Sequence, residues 1–350
     1  MGQTRSVAGK DIINRSPCVW DLTVPWVEMY WSIDLLKRYR QAGYTFASLT
    51  IQDMPPSFDG VLRDIERFVR LCEPHSDWLA IARNGVDIEA GRAAGKLVIG
   101  FNVQDTELVH SDLRRLRVLK SMGVRHMLLA YQLRNNAADG CAEPADAGLS
   151  LFGRRLVREM NNLGMVVDCS HTGRQSTLDA MEVSAAPVIF SHSGVKAQCE
   201  HIRNIDDEQI KACAATHGCI GVVGIGAFLG DPTASAETVF RHVDHIVQLV
   251  GPEYAGIGTD YIDNLEPIWP SMIASKDSMW RDPTGTQLYE GVAFRPEQLS
   301  ELAELMSKAG YSESAIYGVL GTNFERVYKA VEAHASALSH AADGQDKQSK

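Results

Sequence analysis

The chain has 350 residues, 45% of them hydrophobic and 22% charged, with a formal net charge of −10. That length accommodates two domains or one α/β barrel, and the acidic balance, with no strong basic patch, excludes a nucleic-acid partner as the expected one. The seven cysteines are scattered, odd in number and without C-x-x-C spacing, which argues against a disulfide framework or a thiolate zinc site and for a reducing, cytoplasmic setting.

The elements follow in chain order. MGQTRSVAGKDIINRS has no apolar core of a secretory signal, and no run is long enough to span a bilayer, so no membrane partner is expected. MGQTRS fits the short myristoylation pattern but has no second anchoring signal, and it reads as an ordinary start. PCVWDL is a first β-like run ending near Asp21, and VEMYWSIDLLKRYRQAG has helical spacing and stops at Gly43. YTFASLTIQ is a second run, a helical region spans about 59–95, and KLVIGFNV is a third run. SDLRRLRVLKSMG reads as a helix capped by Ser111 or Asp112, before a fourth run, VRHMLLAY. After a loop over 134–149, FGRRLVREMNNLG is an amphipathic helix leading to MVVDCS, and TLDAMEVS leads to PVIFS. Two further helices precede CIGVVGIG and YAGIGTD, and two late helical stretches close the chain before a polar end.

Eight β-like runs separated by helices predict a (β/α)8 barrel of the TIM type in a single domain over 15–335. Residues 1–14 read as an N-terminal extension and 336–350 as a disordered tail. The runs are continuously apolar, as strands buried on both faces require. An open doubly wound sheet would need a G-x-G-x-x-G after the first run, and none is present.

Chemistry in such a barrel gathers where strands end. Polar residues follow the apolar runs at Asp21, Gln104, Asp105, Tyr131, His171, His192 and Asp260. VVDCSHTG and VIFSHSG end neighbouring runs with the same Ser-His pair, so His171 and His192 are expected to face one point above the barrel. A single such histidine is readily explained by bonds to backbone. Two at matched ends, with Asp260 nearby, suggest a divalent-metal site. Asp260 is either a turn cap or a ligand or general acid/base, and Arg203, in the loop after the sixth run, is either a surface residue or a clamp for a carboxylate.

The stretch GLSLFGRRLVREMNNLGMVVDCSHTG, with PVIFSHSG, HIRNIDDE, HVDHIVQLVGPEYAGIGTDY and GTNFERV, resembles the membrane (renal) dipeptidase family of metallopeptidases over roughly 100–330. The resemblance implies a two-zinc barrel enzyme that hydrolyses dipeptides and forms dimers. It implies that His171 and His192 bind the second zinc, that Arg203 holds the substrate carboxylate and that Asp260 moves the proton. The other half of the family pattern is altered. The H-x-D of the first strand is Asp21 and Thr23, the bridging glutamate is Gln104, and a histidine after the fourth strand is Tyr131. A neutral amide bridges two cations poorly, so the expectation is one zinc or other divalent ion on His171 and His192, with Gln104 or Asp21 as further ligands. A metal-free pocket is the alternative. The expected function is a dipeptidase-like hydrolase of a dipeptide or small amide with a free carboxylate, acting as a homodimer. Two other readings stay open: a non-hydrolytic enzyme tailoring peptide-derived metabolites, with Tyr131 or Asp260 as acid/base, and a scaffold homologue with a degenerate site.

Overall fold

A computed structural model of the chain describes residues 8–26, 32–51, 57–263 and 292–348. Its strands are β1 (Trp20–Trp26), β2 (Phe46–Ile51), β3 (Leu79–Ile81), β4 (Leu97–Val103), β5 (Val124–Leu128), β6 (Val166–Asp168), β7 (Val188–Ser193), β8 (Cys219–Val222) and β9 (Ala255–Ile257). Eight of them pair in parallel and in sequence order, β1-β2-β4-β5-β6-β7-β8-β9, and the short β3 pairs beside β4. All eight expected strands are therefore present, in a nearly closed parallel barrel.

Burial on both faces explains the unbroken apolar runs. One set of side chains, including Trp20, Phe46, Val98, Val166, Ile189 and Cys219, packs with Phe324, Val327 and Tyr328 of the last helix. Trp20 lies 4.4 Å from Phe46 and 5.3 Å from Tyr328 between ring centroids. The alternate set, such as Leu49, Phe101, Val167 and Phe190, packs in the larger core with residues of the surrounding helices.

Some helices start where the sequence supplies caps, but Arg114–Ser121 begins at Leu113 with no side-chain cap, not at Ser111 or Asp112. Ser150 caps Leu151–Leu163 through Gly153 N, and Gly164, at φ 67°, ends that helix and turns the chain into β6. Asp206 and Gln209 form a reciprocal capping box on Asp207–Ala215, just past the loop that carries Arg203.

Four local expectations need correction. The helical region over 59–95 is two helices, Phe58–Cys72 and Gly85–Ala93, separated by β3. Pro74 follows the first helix, and a three-residue strand is too short to show a period. β1 does not end at Asp21 but runs on to Trp26, so Asp21 and Thr23 lie within it. The late stretch from Ser312 is not one helix: Glu313–Tyr317 and Asn323–Gln348 flank a wider turn at Gly318–Thr322. The last helix continues to Gln348, through the polar stretch expected to be disordered, and a helix at Gly9–Arg15 occupies the N-terminal extension.

The seam between β9 and β1 is closed largely by a side chain. Asp21 is fully buried and accepts bonds from Thr23 N (3.1 Å), Thr259 N (2.9 Å), Thr259 Oγ1 (2.5 Å) and the Tyr39 hydroxyl (3.1 Å). Beside it, Asp260 N donates to Thr23 O at 2.9 Å.

Candidate active site

His171 follows β6 and His192 lies in β7, and both are buried at the same end of the barrel. Their Nε2 atoms face each other at 2.9 Å. Burial holds both imidazoles well below their usual range, and the Arg203 cation adds to the effect. Both rings are therefore neutral near pH 7. Two facing lone pairs repel, so this contact is stable either as one N–H···N bond or with both lone pairs on a cation.

The surroundings differ on the two rings. His192 Nδ1 sits 2.7 Å from Ser191 Oγ and 3.1 Å from Thr23 Oγ1. His171 Nδ1 is buried without a hydrogen-bond partner, and the ring stacks on Tyr131, with centroids 4.2 Å apart and planes 23° from parallel. His171 and Asp260 both hold left-handed backbone, at φ 62° and 54°. Non-glycine residues in that region cost of order 1 kcal/mol and cluster at functional sites.

Arg203 reaches in from the loop after β7 and is 2% exposed. Its Nη2 donates to His192 O at 3.1 Å, its guanidinium lies 5.4 Å from the Phe228 ring centroid, and its Nε has no partner. Its charge is felt by Asp260, Tyr131, Cys141 and both histidines, so these groups converge. Burial raises the half-buried Asp260 carboxyl to about 6, with Arg203 pulling down and Asp21 pushing up. Burial pushes the Tyr131 phenol above its usual value, which keeps it a neutral donor.

The remaining expected residues are occupied by the protein itself. Asp21 spends both oxygens on the seam. Gln104 donates its amide to Thr50 Oγ1 at 3.2 Å, and Thr50 donates in turn to Asn102. Asp105 turns away to organise the loops, accepting from Glu107 N, Tyr131 N and Asn135 Nδ2. Among the described residues no group of three or more His, Cys, Asp or Glu could hold a metal. The nitrogen donors that face one another are the two imidazoles, and a cation placed between them would need its remaining ligands from neutral oxygens or substrate. No carboxylate among the described residues stands beside the two imidazoles to bridge a second ion.

One neighbour was not singled out from sequence, and another, Thr23, was read only as a lost ligand. Thr23 contacts His192 directly. Cys141, in the 134–149 loop, donates its thiol to Gln132 Oε1 at 2.9 Å and its backbone N–H to His171 O at 2.8 Å. Burial raises that thiol to about 11, although Arg203 lies beside it. The only signal for Cys141 was its place in a long βα-loop.

Residues 29–268 match the family model described as membrane dipeptidase, peptidase family M19. An uncharacterized dipeptidase of Schizosaccharomyces pombe is 30% identical over 327 residues, covering 87% of this chain and 74% of that protein. Dipeptidase tcpJ of Claviceps purpurea is 30% identical over 280 residues, and the match spans 79% of this chain but 61% of that longer protein. Among solved structures, an amidohydrolase from Pseudomonas aeruginosa superposes with a TM-score of 0.84 at 26% identity, covering 93% of this chain and 99% of the other. A probable dipeptidase, PvdM, of the same organism shares the fold at a TM-score of 0.78 and 19% identity, over 93% of this chain and 98% of that one.

Proposed function

The chain belongs to the membrane dipeptidase family, and from that premise we propose that it is a dipeptidase-like hydrolase working through a single divalent ion, zinc or a similar metal, held by His171 and His192. The observation that carries this reading is the 2.9 Å approach of two neutral imidazole Nε2 atoms beneath a converging arginine and carboxyl. Zinc–nitrogen bonds of about 2.0–2.1 Å fit between them. Gln104 is a candidate for a further neutral donor, and Asp21 acts as a structural residue at the seam.

A bound divalent ion would supply Lewis-acid polarisation at that point. The substrate is a dipeptide or small amide with a free carboxylate, which the Arg203 fork binds. That contact fixes the scissile amide between the histidine pair and Asp260. The Asp260 carboxylate takes a proton from the attacking water and returns it to the leaving nitrogen, so the C–N bond breaks to give an acid and an amine. The Tyr131 phenol donates a hydrogen bond to the substrate, and its stacking on His171 keeps that ring in place.

A second reading draws on the missing carboxylates. With Thr23, Gln104 and Tyr131 engaged as neutral groups, the same pocket suits a non-hydrolytic conversion of a peptide-derived metabolite, with Asp260 moving the proton. We place the chain in a reducing compartment, the cytoplasm, as a homodimer; its seven free cysteines support the compartment. No helix among the described residues is long and apolar enough to cross a membrane.

Elemental analysis of purified protein, followed by a dipeptide screen with and without added zinc, tests the proposal. One ion per chain and zinc-dependent hydrolysis are expected. Bound metal without hydrolysis of any dipeptide favours the second reading, and neither metal nor turnover leaves a degenerate homologue.

A further inference from the structure

The twin Ser-His strand ends share one carboxylate. Asp168 closes β6 and is completely buried. Its Oδ1 accepts the backbone N–H of Ser170 and that of Ser191, each at 3.0 Å. One oxygen therefore fastens the residue that precedes each histidine. The serines carry the connection onward. Ser170 Oγ accepts the backbone N–H of His192 at 3.0 Å. Ser191 Oγ lies 2.7 Å from His192 Nδ1 and 3.3 Å from Ser170 Oγ. Both hydroxyls also interact with the Asp168 carboxylate.

Direction follows from donor chemistry. A carboxylate only accepts, so a hydroxyl placed between it and an imidazole gives its proton to the carboxylate side and accepts from the ring. Ser191 then accepts a proton from His192 Nδ1, as Thr23 Oγ1 can from 3.1 Å. The Nε2 atom is left as a lone pair facing His171. On its other side, Asp168 Oδ2 lies 3.6 Å from His126 Nε2, and neither atom has a hydrogen-bond partner. His126 Nδ1 meets the Tyr328 hydroxyl of the last helix at 2.7 Å. A phenol donating there leaves the His126 N–H aimed at Asp168, so the chain of contacts runs from the closing helix up to the pocket.

We propose that Asp168 is a positioning residue that acts through Ser191 to hold His192 as its Nδ1–H tautomer, with the Nε2 lone pair presented to the pocket. A metal-binding histidine commonly donates its second nitrogen to a carboxylate, and here a serine stands between the two. The tautomer does not depend on the proposed function; only its consequence for metal affinity rests on that reading.

Ring 15N–1H correlation NMR of the metal-free full-length protein reads the tautomer directly. Wild type is expected to carry the His192 proton on Nδ1. The nearly isosteric Asp168→Asn shifts population toward Nε2–H, because the Ser191 hydroxyl is freed to donate to the ring. Zinc affinity by calorimetry falls about 10–100-fold in Asp168→Asn and in Ser191→Ala, with unchanged circular dichroism. A wild-type proton on Nε2 overturns the inference, and so does a folded Asp168→Asn with unaltered tautomer. If Asp168→Asn does not fold, Ser191→Ala decides: wild-type zinc affinity there overturns it. A wild-type Nδ1–H tautomer without any zinc uptake upholds the positioning role and removes the proposed ion site.

Discussion

Asp21 accepts both the backbone N–H and the hydroxyl of Thr259, across the line where the last barrel strand meets the first. A residue in line with a family metal position thus serves as the clasp of the barrel. Asp21→Ala would leave two buried backbone N–H groups and two hydroxyls without their acceptor. The expected loss is about 3 kcal/mol or more, since each unsatisfied buried group costs about 1–3 kcal/mol. Asp21→Asn keeps one acceptor oxygen and should cost less. Urea unfolding measures both, and loss of bound ion in a folded Asp21→Asn would return Asp21 to the ligand set.

The same carboxyl sets a pH dependence. Burial raises Asp21 from 3.8 to about 6. The folded protein holds this proton more tightly than the unfolded chain, so the contribution to stability is full below 3.8 and is lost as pH rises through about 6. The stability of wild type relative to Asp21→Asn should therefore fall with rising pH across that window. A difference that rises instead contradicts the assignment.

Asp260 is expected to act as a base in its ionised form. Activity should rise with pH through about 6, where burial places its carboxyl. Asp260→Asn should lower kcat by about 10²–10⁴-fold and erase that acid limb. Full turnover in this variant would remove the proton-carrier role.

Arg203 has an unpartnered Nε and one bond to His192 O. Arg203→Ala should chiefly raise KM for carboxylate-bearing substrates, by an amount equivalent to about 2–5 kcal/mol for a desolvated pair. Arg203→Lys keeps the charge but not the fork, and should recover only part of the loss. Equal KM values for a dipeptide and its C-terminal amide would show that the arginine does not read the carboxylate.

His171→Ala and His192→Ala should each release the ion, because the two imidazoles supply the facing nitrogen donors of the proposed site. Elemental analysis is the check. Two tightly held ions per wild-type chain would mean that Thr23, Gln104 and Tyr131 still support a second position.

The strand order, the barrel class and the paired histidines were legible because they rest on local pattern. Apolar runs of five to nine residues between amphipathic helices mark strands buried on both faces, and a Ser-His at two such ends marks one rim. The replaced first-strand motif and Gln104 were legible only through the family resemblance, which says what those positions ordinarily hold. A three-residue strand such as Leu79–Ile81 has no such pattern, and it was absorbed into the helices on either side.

The use of each polar group was decided only by the tertiary structure. Asp21 meets Thr259 across 238 positions of sequence, and Thr23 meets His192 across 169. Nothing near either residue in the chain announces these partners. The stacking of Tyr131 on His171 and the single oxygen of Asp168 beneath both serines depend on strands that become neighbours only when the barrel closes. Sequence period fixes which face a side chain points to, because alternation is a property of one strand. Whether a carboxylate is free to bind an ion or already spent on the protein depends on donors from other strands, and those are brought within 3 Å only by the fold.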